Sequence, residues 1–509
     1  MDLLKDEWIP TRPQQSGQPQ RIDLKTLLCR TEHWELALPR DDMEMAALQL
    51  LICLVQIALP PADERQWRER IAKPIDDGTL NAAIEPYSDW FQLDHPDFPF
   101  MQIPRVHAKE ITPMEKLLPG LDTSTEGRFV NAPDMAIGLC GGCTAIALYN
   151  QANNAPSFGG GFKFGLRGTC PVSTFAQGDD LRTTIWLNTL SLQTLSPQRL
   201  TSSPAQSQPP TWVEPIKEKT TIPATSIGLL RGLFWQPSHV KLSSSEASGQ
   251  CSCCGQYTDH LYTGFYKAKF NYTIDGLWLH PHSPQSLSIK KGSPEIRYVG
   301  FTQPVPTWTQ LSRYVVKRDI DQIEKGEQGQ KPALVIQQLQ KYLGGKAEKF
   351  ELLAGGYRNN KAAVVERRHE VLTLSKGWER HTADLHQLLN HALAYRTALR
   401  KKLFVCSRGI KEKLKGAGLD LHELGETLFY RRTENLMLHH LAEIDFENVL
   451  PTYLELDKQL GNTCREIFDE LTAPYQHDPE LFRTITINRR SLQKELKENR
   501  YNNPEEDAA

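Results

Sequence analysis

The chain has 509 residues, 39% hydrophobic and 24% charged, with a formal net charge of −2. That length allows two or three domains with a sizeable core, and the composition is that of an ordinary globular protein. The near-neutral balance excludes a global basic footprint for nucleic acid, so any such binding must rest on local patches.

The N-terminus, MDLLKDEWIPTRP, has no apolar segment or cleavage site of the secretory kind, which predicts a cytoplasmic protein. The apolar run AALQLLICLVQIALPP reads as one core helix, too short to span a bilayer. Asp41, Asp42 and Glu44 precede it and suit the first turn of that helix. LCGGCTA then supplies Cys140 and Cys143, and NNAPSFGGGFKFGLRG places Gly159, Gly160 and Gly161 between two phenylalanines. Glycine lacks Cβ and permits positive φ, so another group is expected to approach this backbone closely. The stretch Ser196 to Pro215 is rich in Ser, Pro and Gln and is expected to be a loop or insertion, not a packed element. GLLRGLFWQP and LYTGFYKAKFNYTIDGLWLHP read as β structure, the second from its alternation of aromatic and polar residues. From Lys376 onward Leu, His, Lys and Glu recur at helical spacing, with Leu385, Leu388, Leu389, Ala392 and Tyr395 on one stripe. Breaks at KGAGLD, NVLPTY and APYQHDPE imply about four helices, hence a C-terminal bundle.

The fold class expected is therefore α+β: a mixed α/β domain over 1–375, a helical bundle over 376–500 and a disordered tail over 501–509. GQCSCCGQ contributes Cys251 and Cys254, with Gly255 to help the backbone turn. Two Cys-x-x-Cys pairs can present four thiolates tetrahedrally to Zn2+. Such a site leaves no position for substrate and would be structural. The bland alternative is four buried thiols. Signatures of catalysis are missing: GGGFKFG is neither a Walker loop nor a dinucleotide fingerprint, and G-x-S-x-G and H-E-x-x-H are absent. HPH, His280 to His282, reads as loop, and His381, His386 and His391 drift around a helix. No set of catalytic residues assembles, although a zinc-stabilised hydrolase or nuclease, or a scaffold for protein partners, remain alternatives.

MEKLL, FVN, LCGGCTAIAL, NQAN, FGGGFK, LRG, RGLFWQP, CSCCGQ, YTGF, HPHSP, GGYRNN, ERRH and KGAG occur in that order, within a resemblance that runs from the N-terminus to about residue 490. In this the chain resembles the large subunit of the type I-E CRISPR surveillance complex, Cascade. The resemblance implies a non-catalytic subunit with a mixed α/β domain and a four-helix bundle. It implies recognition of a protospacer-adjacent motif in double-stranded DNA, duplex opening, R-loop stabilisation and recruitment of a helicase–nuclease. The implied partners are the guide RNA 5′ end, target DNA, other Cascade subunits and that nuclease, with no membrane. By the same resemblance Ser157, Phe158, Gly159, Gly160, Gly161 and Lys269 form the motif reader, working in a minor groove about 6 Å wide. Asn360 and Lys361 match a wedge hairpin, and Phe129 and Asn131 a guide-RNA contact. Two positions depart from the pattern: Ser157 replaces a family glycine and Lys361 a family glutamine. Basic clusters at Lys290 and Lys291, and at Arg400, Lys401 and Lys402, are candidates for holding phosphates of the displaced strand.

Overall fold

The computed structural model describes residues 1–501 apart from 16, 107, 109, 121–136, 199, 201–207, 244–246, 291, 324–326, 345–348 and 417. Two compact units are present. The first comprises Met1–Gln303, Lys317–Tyr342 and Leu352–Val371, and the second Pro304–Val316, Leu343–Glu351 and Leu372–Ala509. No helix among the described residues is long and apolar enough to cross a membrane.

The first unit is built around the Asp41–Ala58 helix, whose residues from Met43 to Ile57 are buried with the exception of Glu44. A helix apolar all round must be enclosed, and the Gly141–Asn153 helix packs against it. Several buried polar groups on these helices find partners. Gln56 donates to Leu190 O at 3.0 Å, and the Cys53 sulfur lies 3.2 Å from the Tyr149 hydroxyl. Asp42 is buried and engaged: Arg40 binds it through two nitrogens at 3.0 and 2.7 Å, and the Tyr357 hydroxyl donates to it at 2.9 Å. Its negative charge sits in the first helical turn beside a guanidinium, so its role is structural.

Short sheets surround these helices. In one, the long hairpin of Phe350–Asn360 and Ala363–Leu374 lies beside Ser173–Gln177, with Phe350–Asn360 in the centre. In another, Gly264–Ala268 pairs antiparallel with His239–Leu242, setting Lys267 opposite Val240. Strand 264–268 and strand Thr273–Asp275 fall in the aromatic run expected to be β.

Two local readings are corrected. GLLRGLFWQP contains a short helix, Leu229–Leu233, and no strand. Gly232 lies there against Trp278, so close that an added Cβ would overlap the ring. Tertiary packing has overridden the local apolar pattern. The Ser196–Pro215 stretch is not wholly an unpacked loop either. Trp212 is buried, donates to Trp90 O at 2.9 Å, and meets Phe91, Phe100 and Phe234 at centroid distances of 5.3–6.2 Å. A proline- and serine-rich frame masks one large aromatic anchor.

The second unit contains the four-helix bundle: Thr382–Lys413, Leu421–Glu443, Leu450–Thr472 and Pro479–Glu498. Its connections fall at the three breaks read from the sequence. The stripe Leu385, Leu388, Leu389, Ala392 and Tyr395 is buried, as its spacing predicts. Asp478 caps the fourth helix, accepting from Leu481 N at 3.2 Å, with Pro479 at the first helical position.

Candidate nucleic-acid interface and metal centre

The glycine loop leaves the C-terminus of the Gly141–Asn153 helix. Gly159, Gly160 and Gly161 have φ of +78°, +55° and +87°. Three consecutive left-handed residues are tolerated only without side chains. A turn closes the loop, Phe162 N donating to Gly159 O at 3.0 Å. Phe158 and Phe162 meet edge to face at 5.5 Å, and Phe158 also touches Phe265 at 5.7 Å. Ser157 turns its hydroxyl inward to accept from Gly159 N at 3.4 Å, a local turn bond that braces the loop. Below, Arg167 is buried without a carboxylate partner. It donates to Ser173 Oγ at 2.7 Å, Ser283 Oγ at 2.6 Å, Asn153 O at 3.0 Å and Asn154 Oδ1. Burial pulls its pKa down to about 10. Arg167 thus clamps the helix end to the return strand, a role that its sequence context did not signal.

Lys267 lies within the Gly264–Ala268 strand and Lys269 just beyond its end. The Lys267 ammonium lies 5.1 Å from the Phe158 ring centroid. Lys269 is exposed, and its ammonium donates to the Gly160 carbonyl at 3.2 Å. The hairpin tip joins them: an ideal Cβ on Gly159 would lie 3.6 Å from the Ala362 methyl. At that tip Lys361 holds φ +54° although it is not glycine, and Asn359 Nδ2 donates to its carbonyl. Asn360 is the last residue of the first strand. Loop, lysine and hairpin tip, separated by about a hundred residues each, form one exposed surface.

The other sequence candidates divide. Phe129, Asn131 and Lys291 lie outside the described residues. Lys290 is exposed, 3.9 Å from Glu295. Arg400 donates to Glu426 at 2.9 Å, and Lys401 is exposed, 3.7 Å from Glu495. Lys402 is buried and holds Glu495 at 2.6 Å. Much of the basic run on the first bundle helix is therefore spent on carboxylates of the same bundle. His280 and His282 are buried, and burial pushes His282 down to about 3.

Cys140, Cys143, Cys251 and Cys254 converge, with all four sulfurs within 4.8 Å of one another. Cys140 caps the Gly141–Asn153 helix and Cys143 lies in its first turn. Cys251 and Cys254 sit in the tight loop between Gly249–Gln250 and Tyr257–Thr258. Gly255, at φ +73°, donates its N–H to Cys251 O at 2.9 Å. Backbone bonds lock the two pairs together: Ser252 N to Gly138 O at 2.9 Å and Leu139 N to Tyr262 O at 3.0 Å. Arg21 Nη2 stands 3.5 Å from the Cys254 sulfur. Hydrogen bonds from Cys140 and Cys143 hold the Cys254 thiol well below its ordinary value, and Arg21 adds to the effect. The Cys140–Cys254 sulfur separation is 3.8 Å. A tetrahedron with metal–sulfur bonds of about 2.3 Å has edges of about 3.8 Å. The four cysteines, three buried and Cys254 half-buried, could therefore hold a metal ion.

A sequence profile of the family described as CRISPR-associated protein Cse1 matches residues 2–467. Among solved structures, Thermus thermophilus CasA (Cse1) superposes with TM-score 0.73 at 17% identity, covering 98% of this chain and 99% of that one. Thermobifida fusca Cse1 gives TM-score 0.73 at 15% identity, covering 98% of each chain. A chain of a CRISPR RNA-guided surveillance complex gives TM-score 0.64 at 16% identity, over 97% of this chain and 99% of that one. At these identities the likeness is one of fold, while the profile spans most of the sequence. The chain belongs to the CRISPR-associated protein Cse1 family.

Proposed function

We propose that this chain is the large, non-catalytic subunit of a type I-E Cascade complex, which reads the protospacer-adjacent motif in double-stranded DNA. The observation that carries the reading is the meeting of Gly160, Lys269 and the Lys361 tip on one exposed surface. A loop without side chains fits a minor groove about 6 Å wide. A carbonyl oxygen has two lone pairs. The Lys269 ammonium takes one at Gly160 and leaves the other for the guanine amino group, the distinctive minor-groove donor. The same ammonium supplies positive charge where phosphates approach. Ser157 stiffens the loop from inside, so its hydroxyl does not extend the reading surface.

The hairpin tip is the wedge. Asn360 and Lys361 enter beside the motif, and unstacking a base step costs a few kcal/mol. Lys361 fills space with its stem and offers its ammonium to a phosphate, in place of an amide stacking on a base. Phe129 and Asn131 hold the guide RNA 5′ end, the aromatic ring stacking on an unpaired base. Lys290, Lys291, Arg400 and Lys401 contribute to holding the displaced strand, and Lys402 serves the bundle. The four cysteines bind a structural Zn2+. The assembled complex recruits the helicase–nuclease. The protein acts in the cytoplasm.

The test is duplex binding by the guide-RNA complex, with and without this subunit, across a panel of adjacent motifs. Binding is expected to require the subunit, to vary with motif, and to fail in Gly160→Arg while the complex still assembles. Motif-independent binding that ignores the substitution would return the loop to an ordinary turn.

A further inference from the structure

Tyr357 stands just before the hairpin tip, fully buried, and its surroundings belong to the glycine loop. The ring packs with Ala155 and Cys170, on the outgoing and returning limbs of that loop, and with Val364 on the second strand of the hairpin. Its hydroxyl accepts from Asn150 Nδ2 at 2.6 Å and donates to Asp42 Oδ2 at 2.9 Å. Asn150 lies in the last turn of the Gly141–Asn153 helix, from which the loop departs, and its Oδ1 accepts from Asn154 Nδ2 at 3.2 Å. Asn154 Oδ1 accepts in turn from Arg167, which reaches Ser173 Oγ at 2.7 Å. On the other side Arg40 holds Asp42 and donates to Pro119 O at 3.0 Å. One hydroxyl thus joins the root of the glycine loop, the first turn of the central helix and the hairpin through buried bonds.

The two glycines before the tyrosine show how tightly the strand is set. A Cβ on Gly355 would overlap Met45 Sδ of the central helix, and one on Gly356 would lie 2.7 Å from the Pro171 carbonyl oxygen. The strand is pressed against its neighbours up to Tyr357. Beyond it, residues 358–367 are half-buried or exposed, and Arg368 is the first buried residue on the way back. An Arg367–Asp41 pair at 3.0 Å adds a tether at the surface. Asn360 and Lys361 therefore take their position from a root whose last buried member is Tyr357. Sliding the strand along its length would break both hydroxyl bonds together. That would leave a donor and an acceptor unpaired inside the core, so intermediate positions are disfavoured.

We infer, on the reading of loop and tip proposed above, that Tyr357 is a positioning residue that holds the hairpin tip in register with the glycine loop, so that engaging a motif and parting the adjacent base pairs are one event. Tyr357 is 1% exposed, so it acts through Asn150 and the hairpin and touches no nucleic acid itself.

The test is Tyr357→Phe in the assembled guide-RNA complex, a change that removes the hydroxyl and keeps the ring. Binding and opening are read separately. Affinity for a duplex that carries the motif but does not match the guide should stay at the wild-type value. Opening of a matched duplex, followed by 2-aminopurine fluorescence beside the motif, should slow at least about tenfold. A matched duplex whose pairs next to the motif are already mismatched should open at the wild-type rate, a rescue that general damage to the fold would not allow. Hydrogen exchange on the full chain checks the positioning without nucleic acid. Amides of 158–162 and of 358–363 should quicken together, with the bundle unchanged. Wild-type opening of the paired duplex, or quickened exchange in the hairpin alone, would overturn the inference. So would slowing that persists on the mismatched duplex. Failure of the underlying reading looks different, since binding by the wild-type complex would then ignore the motif, which overturns both.

Discussion

Two glycines show how differently one residue type is used. At Gly160 the backbone is left-handed and an added Cβ would meet nothing within 4 Å. Gly160→Ala should therefore cost only the conformational strain, about 1–2 kcal/mol. Gly232 has the opposite constraint, since its Cβ would overlap the Trp278 ring. Gly232→Ala should destabilise by about 3 kcal/mol or more, the upper range for overpacking. Urea denaturation of both variants checks the order, and equal losses would refute it. His282 gives a prediction in pH. It is buried 3.2 Å from Gln49 Nε2, and burial, followed by the nearby Arg167 charge, lowers it to about 3. Its folded pKa lies below the ordinary 6.5, so the unfolded chain binds the proton first. The contribution of the neutral ring is complete above about 6.5 and is drawn down as pH falls towards 3. The melting temperature should fall more steeply between those values in the wild type than in His282→Gln, and parallel curves would count against it.

At the scale of elements, the hairpin tip carries strain that glycine would relieve. Lys361 occupies φ +54°, and replacing it with glycine should stabilise the tip by about 1 kcal/mol. If the lysine is kept for its side chain, Lys361→Gly should slow duplex opening while raising stability, a divergence visible in stopped-flow strand separation. A faster opening would assign the lysine no role. How far such elements were legible depends on where their causes lie. The bundle breaks at KGAGLD and APYQHDPE were readable because Gly, Asp and Pro act on their own backbone. The Cys pairs were readable because ligand spacing is local even when the pairs are not. Leu229–Leu233 was misread because its reason, the Trp278 ring against Gly232, is 46 residues away along the chain. Lys402 resembled a phosphate contact until Glu495 on another helix claimed it.

For the whole molecule, the cysteine cluster is the feature whose removal should be felt most widely. The cluster joins the start of the Gly141–Asn153 helix, which packs on the central Asp41–Ala58 helix, to a loop otherwise held by two-residue strands. Cys140→Ser should abolish one equivalent of bound zinc and lower the melting temperature of the N-terminal unit, as loss of a structural metal site does. Helicity from residues 382–498 should persist. Zinc content by atomic absorption and melting by circular dichroism provide the check, and an unchanged metal content would remove the site.

That same cluster also sets an order of events during synthesis. Cys140 and Cys251 are 111 positions apart. At ribosomal rates of 5–20 residues per second, the first pair waits roughly 5 to 20 seconds for the second. Throughout that interval two thiols are exposed to oxidants and to stray copper, with no partners to complete a tetrahedron. On the proposed zinc reading, a cell short of zinc, or under oxidative stress, would lose newly made chains before mature ones.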